Sequence, residues 1–311
     1  MRIVFMGTPD FAVPVLETLL AEKHDVVAVY TRPDQRIGRG RRVLPTPVKM
    51  FALDRGLPVL QPASLRGEEV AREMEGLRPE VVVVAAYGRI IPDVMLRVPT
   101  KGMVNVHPSL LPRYRGPSPV STAILEGADL TGVTIMLLDA GMDSGPILAQ
   151  REATIQPRER AGELTAKLFG MGAELLLEVL QAIGSGDSKP TPQDETRVTV
   201  THLLQKADGE LDWSLPAAEL ERRVRAFDPW PGCYTRWSGR QLNVVEAGVV
   251  DDSGAAERVV GEVMAGREGV VVVTGHGLLS LGSLRLEGRR TQSSEEFVRG
   301  HTDFPGSRLP S

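Results

Sequence analysis

The chain has 311 residues, of which 42% are hydrophobic and 24% charged, and its formal net charge at pH 7 is -4. This length and apolar content support a sizeable core and exceed one domain of common size, so two domains are expected. The mildly acidic balance excludes a polycation that binds nucleic acid indiscriminately. The single cysteine, Cys233, excludes an internal disulfide framework and a cysteine-based zinc cage.

The chain opens MRIVFMG, which is typical of a buried strand and not of a signal peptide. No apolar run reaches the roughly 18 residues of a membrane span. The sequence therefore predicts a cytoplasmic protein without membrane contact, and a monomer is expected. No metal site is predicted, because the histidines at 24, 202, 276 and 301 are scattered without ligand spacing.

The first half of the chain alternates β-branched apolar runs with amphipathic stretches. Because the apolar runs are continuous, both faces of each strand are expected to be covered, which predicts an α/β domain with a parallel sheet and crossover helices. Such sheets bind ligands at the carboxyl ends of their strands. Strands are predicted at 3–5, 26–30, 81–86, 103–107, 133–138 and 147–155, and helices within 11–23, 68–77 and 159–183.

The turn after the first strand, FMGTPD, stands where a dinucleotide-binding protein carries GxGxxG. Thr8 and Pro9 replace the second glycine, which argues against a nicotinamide cofactor. We interpret Gly7 as permitting a tight turn, with Thr8 or Asp10 capping the next helix. The alternative is that this turn borders a substrate pocket.

Residues 31–49, TRPDQRIGRGRRVLPTPVK, carry six basic side chains against one acid. Their glycines and prolines argue against regular structure, which predicts a mobile basic loop. One interpretation is a solvated charge run. A contact with RNA or polyphosphate is favoured, because a long loop in a compact domain is usually functional and glycines let backbone approach phosphates.

Two polar side chains end the predicted strand at 103–107. Asn105 and His107 are two residues apart, so they share one face of an extended strand. A second apolar strand is followed by DAGMDSGPIL, which contains Asp143. An amide donor, an imidazole and a carboxylate together suit addition to a carbonyl: they offer a donor to an oxyanion, a proton carrier and a charge that orients the histidine. The alternatives are a structural histidine and an aspartate that caps a turn.

Composition changes at GSGDSKPTPQDET, residues 184–196, which are polar, lack an apolar face and contain two prolines. This is typical of a linker. Beyond it, short strands separated by glycine turns predict a β-barrel or sandwich of about 100 residues, with the OB type among the candidates. Aromatic residues in RAFDPWPGCYT are interpreted mainly as packing, while Arg285, Arg289 and Arg290 are candidates for phosphate contacts.

These motifs together resemble the methionyl-tRNA formyltransferase family. Asn105, His107 and Asp143 are similar to the Asn, His and Asp of formyltransferases that use 10-formyltetrahydrofolate. The tRNA-specific resemblance rests on motifs along nearly the whole chain, which are FMGTPDFAVPVLETLL, RPDQRIGRGRR with PTPVK, AAYGRIIP, QDETRVTVTHLLQKADGELDWS and RAFDPWPGCYT. Ile37, and Ser-Pro-Val at 118–120, depart from the family's pattern.

The resemblance implies a Rossmann-like catalytic domain at 1–184, a linker at 185–204 and an OB-like β-barrel at 205–311 that helps to hold tRNA. The implied co-substrate is 10-formyltetrahydrofolate, without a metal, and the implied partner is initiator methionyl-tRNA. Asn105, His107 and Asp143 would be catalytic. The implied folate-binding residues are Ser109, Leu110, Leu111, Pro112, Tyr87 and Gly88, and the implied tRNA-binding residues are Arg36, Arg39, Arg41 and Arg42.

Three other functions remain open at this stage. The same three residues would serve a formyltransferase that acts on a sugar-nucleotide or ribonucleotide amine, although such a substrate needs neither a basic loop nor a β domain. They would also serve a hydrolase that discards the formyl group. A third possibility is an RNA-binding protein that keeps the fold without catalysis.

Overall fold

A computed structural model describes residues 1–37, 42–250, 258–266 and 269–311. The chain divides into two compact units, each built from separate stretches. The first unit comprises Met1–Pro119, Leu130–Thr154 and Thr165–Thr201, and the second comprises Val120–Asp129, Ile155–Leu164 and His202–Ser311. Much of the stretch predicted as a linker, 185–201, is therefore counted with the first unit.

The N-terminal half of the chain alternates strands and helices. Its strands are β1 (Arg2–Gly7), β2 (Asp25–Tyr30), β3 (Gln35–Ile37), β4 (Arg42–Leu44), β5 (Val59–Leu60), β6 (Val81–Ala85), β7 (Met103–His107), β8 (Leu130–Leu137) and β9 (Ile147–Thr154). Its helices are α1 (Val13–Ala21), α2 (Pro47–Asp54), α3 (Glu68–Leu77), α4 (Asp93–Leu96), α5 (Pro119–Leu125) and α6 (Ala161–Ser185).

Seven of these strands form one sheet in the order β5-β2-β1-β6-β7-β8-β9. The pairings from β5 to β7 are parallel, as predicted. β8 and β9 differ, because β7 pairs with β8 and β8 with β9 in antiparallel fashion. The carboxyl end of β8 therefore lies beside the start of β7, with Leu137 opposite Val104. A continuous apolar run carries no information on strand direction, which is why the sequence did not reveal this reversal.

The sheet is covered on both faces, as its apolar strands require. Val104 and Val106 of β7 belong to the cluster that includes α1 and α6. Met103 belongs to a second cluster, on the opposite face, with residues of α3 and α4. Since side chains alternate along a strand, Asn105 and His107 follow Met103 on this second face.

Helix α6 is long and apolar enough, by length and composition alone, to cross a membrane. This qualifies the expectation that no stretch reaches that length. Core helices pass the same test, and Phe169, Leu176 and Leu180 of α6 are buried in the cluster that also holds Val106.

The basic segment is more regular than its glycines and prolines suggested. β3 and β4 pair in antiparallel fashion on either side of residues 38–41, which lie outside the described part of the chain. Thr46 then caps α2, its Oγ1 accepting from Lys49 N at 3.1 Å, and Pro47 occupies the first turn, where proline is favoured. Lys49 Nζ also binds Asp34 Oδ2 at 2.7 Å, so this lysine joins the two ends of the segment.

The second unit contains the antiparallel sheet that the glycine-punctuated strands predicted. The strands follow the order β10-β11-β14-β13-β12, with β15 beside β14. In the described residues this path has two ends, so closure into an OB-like barrel stays a prediction. The elements are α7 (Ala217–Ala226), β10 (Cys233–Trp237), β11 (Arg240–Val250), β12 (Val263–Gly266), β13 (Gly269–Val273), β14 (Leu278–Leu286), β15 (Gln292–Ser293) and α8 (Ser294–Gly300).

Candidate active site

The asparagine and histidine that end β7 lie on one face of the sheet, as their spacing predicted. Asn105 is half-buried and pairs along the sheet with Val84 of β6 and Met136 of β8. His107 is 4% exposed, which leaves its ring inside the fold with one edge available to the site. The pair therefore brings an amide and an imidazole to the carboxyl end of a central strand, where open α/β sheets bind ligands.

The histidine ring is oriented by a backbone carbonyl. His107 Nε2 lies 3.0 Å from Tyr114 O. A carbonyl oxygen only accepts, so Nε2 carries the proton and donates. Nδ1 is therefore the nitrogen that faces the remaining partner, Asp143, whose Oδ2 lies 3.7 Å away. That distance is too long for a direct hydrogen bond, so the two groups interact electrostatically across near van der Waals contact.

Asp143 reaches the histidine by a route that the sequence did not predict. Because β8 ends at the opposite edge from His107, residues 138–146 must fold back across the sheet face to bring the carboxylate there. Asp143 itself has φ of 50°, in the left-handed region that is uncommon for residues other than glycine. Its Oδ2 accepts a hydrogen bond from Gly116 N at 2.8 Å.

Gly116 is a position that only glycine fits. It has φ of 107°, and a Cβ there would lie 2.9 Å from Thr201 O. This close approach lets the Gly116 N–H point at the Asp143 carboxylate. The carboxylate is thus fixed by a backbone donor on one side and faces an imidazole on the other.

The loop after β6 lies beside this pair. Ala86 and Gly88 have φ of 48° and 78°, which turns the chain sharply after the strand. Thr8 Oγ1 donates to Tyr87 O at 2.9 Å and so ties the turn after β1 to this loop. The expectation that Thr8 or Asp10 caps the next helix was wrong, since within residues 8–13 no side chain makes the cap hydrogen bond. β1 and β6 flank the point where the strand order reverses, so their loops border a crevice.

The run Ser109–Pro112, predicted to bind folate, is a rigid loop. Ser109 O accepts from Thr134 Oγ1 at 2.6 Å, and Leu111 O accepts from Gln150 Nε2 at 2.8 Å. The Ser109 and Leu111 side chains are buried. This run leads directly into Tyr114, whose carbonyl holds His107. The loop therefore fixes the orientation of the imidazole. Its contact with folate stays a prediction.

The predicted tRNA-binding arginines cannot be placed as side chains. Arg39 and Arg41 lie outside the described residues, and for Arg36 and Arg42 only the backbone is described, in β3 and β4.

In the second unit Phe227 is buried, in line with packing, whereas Trp230 is 55% exposed and does not fit that interpretation. Arg285, Arg289 and Arg290 are exposed.

The residues that support Asp143 have no recognisable signal in the sequence. Gln193, in the segment taken as a linker, donates from Nε2 to Asp143 O at 2.7 Å and to Gly145 O at 2.8 Å. Arg115 is buried and donates to Gln193 Oε1. A polar segment with two prolines gives no sign that its single glutamine is buried against a loop 50 residues earlier. The described residues contain no group of three or more His, Cys, Asp or Glu side chains suited to a metal ion.

Comparisons with known proteins agree with this geometry. Residues 1–180 match the family described as formyl transferase, and residues 203–302 match the formyl transferase C-terminal domain. A methionyl-tRNA formyltransferase of Chloroflexus aurantiacus is 50% identical over 97% of this chain and 98% of its own length. One from Myxococcus xanthus is 47% identical over 98% and 97%.

Solved structures share the fold at low identity. An N-formyltransferase of Helicobacter canadensis, in complex with folinic acid and dTDP-3-aminofucose, has a TM-score of 0.67 at 17% identity, covering 94% of this chain and 100% of that one. HypX of Aquifex aeolicus, in complex with tetrahydrofolic acid, has a TM-score of 0.66 at 20% identity, covering 96% of this chain and 48% of that one.

The mostly parallel sheet agrees with what the family models and the relatives show: the chain belongs to the formyl transferase family. It is accordingly a transferase of one-carbon groups. The particular relatives that it matches over nearly their whole length carry the name methionyl-tRNA formyltransferase.

Proposed function

We propose that this enzyme transfers the formyl group of 10-formyltetrahydrofolate to the α-amino group of initiator methionyl-tRNA. The observation that carries the proposal is Asp143 beside His107 at the carboxyl end of β7, with Asn105 on the same face of that strand, in a chain related to methionyl-tRNA formyltransferases over nearly its whole length. The product would be N-formylmethionyl-tRNA for translation initiation.

The donor set fits a formyl group. The Asn105 amide is half-buried, and in the protonated ring of His107 Nδ1–H is a second donor, so the two side chains would donate to one carbonyl oxygen. Folate would supply the formyl carbon and, through its N10, the leaving nitrogen. Tyr87, Gly88 and the Ser109–Pro112 run would hold it, and the turn after β1 would border the same crevice. No metal is needed for this chemistry, since the donors are side chains.

The chemistry required is addition of an amine to the formyl carbon, followed by loss of N10. A new N–C bond forms and the old N10–C bond breaks, while one proton leaves the attacking nitrogen and one reaches N10. Free α-amino groups titrate near about 7.7 to 8.0, and an ester lowers this, so much of the amine is neutral at cytosolic pH. The residues therefore act mainly on the intermediate.

Each of the three side chains has a separate task. Asn105 donates to the oxyanion from its amide. His107, with Nε2 held by Tyr114 O, donates from Nδ1, and Asp143 stabilises the imidazolium electrostatically. A water bound to the Asp143 carboxylate would carry the proton from the amine towards N10.

The basic hairpin formed by β3 and β4 provides the RNA contact in this proposal. Arg36, Arg39, Arg41 and Arg42 would bind phosphates or splayed acceptor-end bases, which makes affinity sensitive to salt. The second unit, as an OB-like domain from 205 after a connection at 185–204, would add further contacts. We expect the enzyme to be a cytoplasmic monomer, which light scattering after size-exclusion chromatography tests for the oligomeric state.

Formyl transfer with four acceptors tests the function. The enzyme is given 10-formyltetrahydrofolate with charged initiator methionyl-tRNA, uncharged tRNA, free methionine or water alone. Formylated product is expected only with the charged tRNA. Folate turnover without any tRNA would instead indicate a hydrolase, and formylation of a free small amine would indicate a small-molecule formyltransferase.

The arginines give a second, independent prediction. Arg41→Ala or Arg42→Ala should raise the KM for tRNA by about tenfold or more at physiological salt and leave the KM for folate unchanged, because these cations would contact the RNA and not the folate. Steady-state kinetics with each substrate varied in turn measures this. Equal effects on both substrates, or none, would contradict the RNA contact.

A further inference from the structure

Residues 191–201, here called the strap, run along the loops that carry the candidate site. Arg115 N donates to Thr199 O at 2.9 Å, and Thr201 N donates to Arg115 O at 2.8 Å. Thr199 Oγ1 accepts from Tyr114 N at 2.8 Å. The strap therefore binds, on both sides, the residue whose carbonyl orients His107.

Gln193 is the strap residue that reaches residues 138–146, here called the returning loop because they fold back from the end of β8 to His107. Its side chain is buried, with the residue 9% exposed. Nε2 donates to Asp143 O at 2.7 Å and to Gly145 O at 2.8 Å, and Oε1 accepts from Arg115 Nε at 3.0 Å. Both amide protons and the amide oxygen are thus in use. A buried amide with all these bonds is held in one orientation.

Arg115 is held in turn by a second strap residue. Its side chain is 8% exposed and donates to the Glu195 carboxylate from Nη2 at 2.8 Å and from Nη1 at 3.3 Å. This fork geometry is the most directional of ion pairs. Glu195 fixes Arg115, Arg115 fixes the Gln193 oxygen, and Gln193 fixes the backbone on either side of Ser144.

The returning loop needs such support. Asp143 has a left-handed backbone at φ 50°, which is unfavourable for a residue with a Cβ. Such a conformation persists only when neighbouring groups determine it. The two bonds from Gln193 and the Gly116 N–H on the carboxylate are the contacts that do so.

We propose that Gln193 is a positioning residue that sets the distance between the Asp143 carboxylate and His107 Nδ1. Its side-chain hydrogen bonds go to Arg115 and to the Asp143 and Gly145 carbonyls, so it acts through the Asp143 backbone. This inference rests on the proposed function for its effect on rate, but its effect on geometry can be measured separately.

The variant that tests it is Gln193→Met, which keeps roughly the side-chain volume and removes every hydrogen bond. A displacement of about 1 Å in a catalytic group costs up to about 100-fold. We expect kcat to fall by about 10- to 100-fold while the KM values for folate and tRNA stay within about twofold. Gln241→Met is the matched control, because Gln241 binds Asn243 in the second unit and should change neither quantity.

A double variant separates positioning from general destabilisation. If Gln193 acts through Asp143, then Gln193→Met should reduce kcat less than about twofold further in an Asp143→Asn background. A similar loss in both backgrounds, or a rise in either KM, would overturn the inference. Urea unfolding of each variant verifies that the fold is intact.

Amide exchange tests the geometry without any assay of activity. The Gly116 N–H is bound to Asp143 Oδ2, so moving Asp143 removes its acceptor. We expect hydrogen exchange at Gly116 to accelerate by about tenfold or more in Gln193→Met and not in Gln241→Met. Unchanged exchange would overturn the inference even in an active enzyme. If the wild-type enzyme transferred no formyl group, the proposed function would fail while this measurement still decided the position of Asp143.

Discussion

Each ring nitrogen of His107 has its own task, and this gives the histidine and asparagine different mutational signatures. His107→Ala removes a proposed oxyanion donor and also leaves Tyr114 O, a buried acceptor, without its partner. Asn105 is half-buried, so Asn105→Ala removes only the donor. Losing one well-placed donor costs roughly 100- to 1,000-fold in kcat.

We therefore expect both alanine variants to lose at least that much activity, but only His107→Ala to lose about 1 to 3 kcal/mol of unfolding free energy. Single-turnover formylation measures the first quantity and urea denaturation the second. Near-normal turnover in either variant would contradict the proposed role of that residue as an oxyanion donor.

The sequence predicts part of the site and not the rest, for a physical reason. Asn105 and His107 could be paired because the two-residue period of a strand is a local property. Asp143 could be identified from its motif. The course of the loop that brings it to His107 could not be predicted, because it depends on the direction of β8. Gln193 was missed because burial of a polar side chain depends on partners that are distant in sequence, and its neighbours are typical of a linker.

At the scale of elements, α6 holds the face of the sheet opposite the site through close contact at one glycine. A Cβ at Gly172 would lie 2.5 Å from Val106 Cγ1 and 3.0 Å from Val133 Cγ2, whereas a Cβ at Gly170 meets nothing within 4 Å. The two glycines are two residues apart in the same helix, so they differ in packing and hardly in helix propensity.

Gly172→Ala should therefore destabilise the protein by about 1 to 3 kcal/mol, because it overpacks the helix against β7 and β8. Gly170→Ala should stabilise it by up to about 1 kcal/mol, because alanine favours the helix. Thermal or urea unfolding measures both. Stabilisation by both variants would mean that α6 does not lie this close to Val106.

The elements themselves were largely predictable where their signal is local. β7 and α3 have the predicted bounds, and α6 differs by two residues at each end. The β3–β4 hairpin was missed because glycine and proline weaken a strand pattern, although the pairing here involves only three residues on each side. The antiparallel pairing of β8 had no local signal at all.

At the scale of the whole molecule, the single cysteine links stability to pH in the second unit. Cys233 is 3% exposed in β10, and burial raises the pKa of its thiol to about 12. The thiol in an unfolded chain ionises at lower pH. Its contribution to stability is therefore complete below the unfolded pKa and declines as pH rises towards the folded pKa.

We expect the difference in unfolding free energy between the wild type and Cys233→Ala to narrow by about 2 kcal/mol between pH 7 and pH 10. The other groups that titrate in this range are the same in both proteins, so their contributions to the unfolding free energy cancel in the difference. A constant difference across that range would mean that the thiol is as accessible in the folded protein as in the unfolded chain.

The same buried thiol can be used to measure local unfolding of the second unit by chemical labelling. With one cysteine in 311 residues, a maleimide or alkyl iodide can attach only at Cys233. Because the folded thiol is covered and neutral, modification must wait until the antiparallel sheet around β10 opens. The labelling rate in native buffer thus reports how often that sheet unfolds locally. It does not report on the catalytic sheet, which has no thiol. A lower labelling rate in the presence of charged tRNA would show that the RNA stabilises the second unit.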